Sequence, residues 1–63
     1  MIDLSKTIKE CGIKKEKIAR SLAIDPQTVS QHQKQAETKT LAKRWVIQYE
    51  NLFKAHNFEV YYY

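Results

Sequence analysis

The chain has 63 residues, one domain close to the size at which a single hydrophobic core becomes marginal, and this disfavours a self-sufficient enzyme with a deep pocket. One cysteine, Cys11, excludes an internal disulfide; no signal peptide or membrane-spanning apolar run is read, so the cytosol is the expected compartment. The net charge is +4 and uneven, with ten basic and five acidic groups over 1–44 against one and two over 45–63, so a polyanion partner is sought in the basic part.

In chain order, Leu4, Ile8 and Cys11 recur at helical spacing after Asp3, an N-cap residue, and before Gly12, the only glycine, where a helix end favours positive φ. A helix is predicted over 4–11, with Cys11 as a small buried apolar residue rather than a redox centre or nucleophile. Ile18, Ala19 and Leu22 form the next apolar stripe, giving a helix over 15–22 with Lys14, Lys17, Arg20 and Ser21 on its other faces. Asp25-Pro26 then combines a carboxylate cap with proline at a first helical position, and the third helix runs from there to about Gln35.

The polar stretch 35–39 is read as a loop, ended by Thr38 as the cap of a fourth helix reaching Lys54 or Ala55. That helix carries Leu41, Ala42, Trp45, Val46, Tyr49, Leu52 and Phe53 on two adjoining stripes, wider than one packing face needs, so part of it is expected to meet a second subunit. The tail from Phe58 to Tyr63 is β-prone. As a strand it would pair with another chain's tail, or with something outside the first 57 residues. The expected fold is therefore mainly α, about four helices with a short C-terminal strand at a dimer interface, in a single domain divided into a unit over 1–36 and a packing and dimerisation part over 37–63. Trp45, Tyr49, Leu52, Phe53, Phe58, Val60, Tyr61 and Tyr62 are the expected interface residues.

The segment from Lys15 to His32 resembles the helix-turn-helix family at its framework positions. Ile18, Ala19 and Leu22 match the buried face of the first helix, Ile24 the apolar residue of the turn, and Val29 the inward anchor of the recognition helix. Where the family usually has glycine in the turn this chain has Ala23, so either the turn is rearranged or the strain of positive φ is accepted. The string from Ile18 to His32 is similar to the DNA-binding domains of response-regulator and quorum-sensing activators, which continue into a Lys-Leu-Gly turn absent here. Small size, the fourth helix and the β-prone tail favour the phage repressor and Cro group. That resemblance implies a homodimer on a pseudopalindromic operator, regulating transcription. An excisionase-like or architectural DNA binder, and an antirepressor-type module that binds another protein, are the alternatives.

Helical geometry indicates which side chains would face DNA. With Val29 inward, Gln27, Gln31 and Lys34 project oppositely at about 100° per residue, with Thr28, Ser30 and Gln35 on the flanks. That face is polar and free of acid. A glutamine amide offers a donor and an acceptor that match adenine N6 and N7, while Ser and Thr reach base edges or phosphates, so Gln27, Thr28, Ser30 and Gln31 are the candidate base readers. Lys14, Lys15, Lys17, Lys34 and Lys39 are the candidate phosphate contacts. His32, at the border of the buried face, is expected to be packed and hydrogen-bonded rather than a metal ligand. The tyrosine tail lacks the interleaved basic residues of a single-strand groove. No metal, cofactor or small-molecule substrate is expected.

Overall fold

Four helices form where the apolar spacing places them in a computed structural model that describes residues 1–63: α1 (Leu4–Cys11), α2 (Lys15–Leu22), α3 (Pro26–Glu37) and α4 (Lys43–Ala55). Asp3 caps α1 through its side chain, accepting from the Lys6 N–H at 3.2 Å, and Asp25 caps α3, accepting from the Gln27 N–H at 2.8 Å. These contacts satisfy amide donors that a helix start otherwise leaves open. α1 and α2 both pack on α3, with α4 completing the core.

A left-handed residue closes each helix: Gly12 (φ 68°), Ala23 (φ 57°), Lys39 (φ 60°) and Asn57 (φ 59°). After α2 the Ala23 N–H donates to the Arg20 carbonyl at 3.2 Å and the Ile24 N–H to the Ala19 carbonyl at 2.9 Å. The same paired return follows α3, from Lys39 to Ala36 and Thr40 to Gln35, and α4, from Asn57 to Lys54 and Phe58 to Phe53. These are Schellman closures, which satisfy the last carbonyls of each helix. At Ala23 the turn keeps the left-handed geometry and accepts the strain, which costs an L-residue about 1–2 kcal/mol.

Two boundaries differ from the sequence reading. α3 extends to Glu37 because Ala36, two turns after Val29, is fully buried and continues the inward stripe. Thr38 does not cap α4. Its hydroxyl donates back to the carbonyls of Lys34 (3.3 Å) and Gln35 (3.2 Å), so it finishes α3, while α4 starts at Lys43 with Ala42 before it and no side-chain cap. The intervening segment buries Leu41.

One core spans the chain, from Ile2, Leu4 and Ile8 through Ile18, Ala19, Val29 and Ala36 to Leu41, Tyr49 and Phe53. It thus crosses the division at residue 36. Tyr49 and Phe53, expected at a subunit interface, are 0% exposed within this core. Burying a side chain of that size stabilises by about 1.5–3 kcal/mol, and a second chain cannot reach either ring without repacking the first. Trp45, Leu52, Phe58 and Val60 are half-buried and pack against the same core; Tyr61 is half-buried and Tyr62 is 52% exposed.

The tail also differs from expectation, because its partner is the N-terminus of its own chain. Ile2 and Tyr62 form an antiparallel bridge, flanked by Asp3 N–H to the Tyr61 carbonyl (2.8 Å) and Tyr63 N–H to the Met1 carbonyl (3.0 Å). Buried Thr7 completes the clasp: its hydroxyl donates to the Asp3 carbonyl at 2.8 Å and accepts from the Tyr61 N–H at 3.0 Å. Ile2, sealed under the clasp, is fully buried. No helix is long and apolar enough to cross a membrane.

Candidate nucleic-acid interface

The start of α3 is fixed by Asp25 and Pro26, and its rotation by three inward residues, Val29, His32 and Ala36, all buried. That rotation leaves Gln27, Ser30, Gln31, Lys34 and Gln35 exposed, with Thr28 half-buried at the edge. Between Asp25 and Glu37 there is no acidic residue. The exposed side of α3 therefore offers amide and hydroxyl donors and acceptors with one cation and no anion.

The N-terminal turn of α2 lies beside the middle of that face. Lys15 Nζ donates to Ser30 Oγ at 3.2 Å, joining a candidate phosphate contact to a candidate base reader. Lys14, Lys17 and Arg20, with Glu16 and Ser21, line an open depression of about 410 Å³ on the other side of α2. No side chain caps α2, so its first amide donors add to the positive character of this end. The sequence placed Arg20 off the apolar stripe of α2 without singling it out as a phosphate contact. Its spacing of three from Lys17 was the available signal.

Lys14, Lys15 and Lys17 are thus gathered at one end of α2, and Lys34 stands on the exposed side of α3 itself. Lys39 is not brought to the α2 end. It closes α3, and its Nζ sits 5.8 Å from the centre of the Tyr63 ring, a cation–π contact with the tail.

Behind α3 a column of rings holds it in place. His32 Nδ1 and the Tyr49 hydroxyl share a hydrogen bond of 2.7 Å, and the His32 ring lies 4.6 Å from the Trp45 ring, centre to centre. Trp45 and Tyr49 follow at 6.3 Å, Tyr49 and Phe53 at 6.4 Å. Burial penalises the charged form of both hydrogen-bonded groups, pulling the His32 pKa below its ordinary value and pushing that of Tyr49 up. No buried side-chain polar atom lacks a partner. His32 is therefore the packed, hydrogen-bonded residue its position suggested.

No protein-family model, curated protein or solved structure matches this chain. No three His, Cys, Asp or Glu side chains gather as a metal site would require. What α2 and α3 present is a polar strip about 18 Å long, at 1.5 Å per residue over the 12 residues of α3, edged by cations.

Proposed function

We propose that the protein binds duplex DNA sequence-specifically, laying α3 in the major groove as a dimeric, non-enzymatic regulator of transcription in the cytosol. The observation that carries this reading is the exposed, acid-free side of α3, presenting Gln27, Ser30 and Gln31, with Lys15 of α2 hydrogen-bonded to Ser30. An ordinary solvated helix face would mix acidic and basic residues; this one offers hydrogen-bonding groups suited to base edges beside cations suited to phosphates. Lys14, Lys15, Lys17 and Arg20 supply salt-dependent affinity, and Gln27 and Gln31 supply discrimination. In a dimer the two α3 helices stand about 34 Å apart, one turn of DNA.

An architectural or excisionase-like binder would use the same helix together with a wing or an apolar wedge. The only isolated backbone bridge is Ile2 with Tyr62, and the one exposed apolar side chain of α3 is Pro26 in its first turn, where it starts the helix, so neither a wing hairpin nor a large apolar wedge favours that alternative. The test is binding of Gln31→Ala to a selected site and to random duplex. A loss of about 1–3 kcal/mol confined to the selected site supports base reading, whereas equal loss on both contradicts it.

A further inference from the structure

The two sides of α4 differ. Trp45, Tyr49 and Phe53 turn inward, whereas Lys43, Val46, Ile47 and Glu50 fall within about 100° of arc on the adjoining face, with half-buried Val46 at its border with Phe53. Ile47 is 51% exposed. Beside it runs an open groove of about 300 Å³ walled by Met1, Ile2, Leu41, Lys43, Val46 and Tyr62. The Tyr62 hydroxyl donates to the Glu50 carboxylate, fixing that acid at the end of the strip. Four large apolar side chains are exposed in the whole chain, Met1, Ile47, Tyr62 and Tyr63, and the first three border this strip. Apolar groups gathered in one place, with a charge at either end, mark a contact surface.

We infer that this face joins two copies of the chain, α4 lying antiparallel to the partner's α4 about a two-fold axis between Val46 and Ile47. The inference specifies the dimer of the proposed function, but its argument does not use DNA. The strip is self-complementary only in that arrangement. Lys43 and Glu50 stand equally far from the midpoint between residues 46 and 47, so an antiparallel pair sets Lys43 against the partner's Glu50, and the reverse by symmetry. Val46 then meets the partner's Ile47, which lies over the groove beside Val46. A parallel pair would oppose lysine to lysine and glutamate to glutamate. His32, through Trp45 and Tyr49, ties α3 to another part of the α4 circumference, so α3 stays outside the seam between the two α4 helices.

One helix pair falls short of a standard interface of about 1,600 Å², so association in the micromolar range is expected. Sedimentation and native mass spectrometry of the full chain test it. Wild type dimerises, while Ile47→Glu, Lys43→Glu and Glu50→Lys each weaken the dimer at least tenfold, with circular dichroism unchanged. Mixing Lys43→Glu with Glu50→Lys, one face wholly acidic and the other wholly basic, restores a heterodimer of near wild-type affinity. A wild type that stays monomeric into the millimolar range, single variants that dimerise normally, or a mixture that fails to pair while both variants keep wild-type helicity would overturn the inference. A dimer that binds no duplex leaves the interface standing and refutes the DNA reading. A monomer that binds half-sites does the reverse.

Discussion

Tyr49→Phe isolates the contact that ties the exposed helix α3 to the rest of the molecule. The substitution keeps the ring between Trp45 and Phe53 but removes the hydroxyl 2.7 Å from His32 Nδ1. Both residues are buried, so the imidazole loses its partner and water cannot replace it without opening the core. An unsatisfied buried polar group costs about 1–3 kcal/mol. For a chain of 63 residues, whose total stability falls at about 3–9 kcal/mol, that is a large fraction, and it lowers Tm by about 4–8 °C for every kcal/mol. Urea unfolding followed by fluorescence measures it directly, because Trp45 is the only tryptophan and lies 4.6 Å from His32. The same substitution in a His32→Leu background should cost less than about 0.5 kcal/mol, since no polar atom is then stranded. Equal costs in both backgrounds would refute the hydrogen bond as the source.

Acidification should act on the same pair. The folded-state pKa of His32 lies below its ordinary 6.5, so the unfolded chain binds the proton more readily. The stability is full above pH 6.5 and falls as pH drops from there toward the folded-state pKa; urea midpoints flat between pH 7 and 5 in wild type would contradict this. Ala23→Gly should stabilise by about 0.5–1 kcal/mol, the relief of left-handed strain less the extra unfolded-state entropy of glycine, and a loss of stability would show that the turn is not strained. Replacing Lys14, Lys17 and Arg20 by Gln should lower the slope of log K against log salt by about 0.9 for each phosphate that is no longer neutralised, with little change in sequence preference. An unchanged slope would remove these residues from the interface.

Much of the fold is local in origin and was readable as such. Asp3, Gly12 and Asp25-Pro26 punctuate the chain with residues whose preferences have one main structural outcome, and α1, α2 and the start of α3 fall where they indicate. Helix ends closed by non-glycine residues were harder. Ala23, Lys39 and Asn57 adopt the left-handed region because the following residues pack and return hydrogen bonds, which side-chain identity does not announce. Thr38 was ambiguous for a chemical reason: a hydroxyl can accept from a following N–H or donate to a preceding carbonyl, and here it donates.

Tertiary closure lay beyond the pattern altogether. A β-prone tail signals that a partner strand exists, and only the folded chain puts Ile2 beside Tyr62. The width of the apolar surface on α4 was legible, but its division was not: Tyr49 and Phe53 serve the chain's own core, and Val46 and Ile47 face outward or toward the groove. The polar side of α3 followed directly from placing Val29 inward. Its link to α2 through Lys15 and Ser30, and the grouping of Arg20 with Lys14 and Lys17, depend on how two helices pack, which spacing within one helix cannot give.

Selection of bound sequences from a random duplex pool tests the central claim most directly, because one consensus reports binding, base reading and symmetry together. The expected result is a pseudopalindrome with half-site centres about 10 bp apart, whose preferences weaken when Gln27 or Gln31 is replaced by alanine. Recovery of no enriched sequence, with wild-type protein that is folded and at concentrations where it dimerises, would contradict the assignment of α3 as a DNA-reading helix.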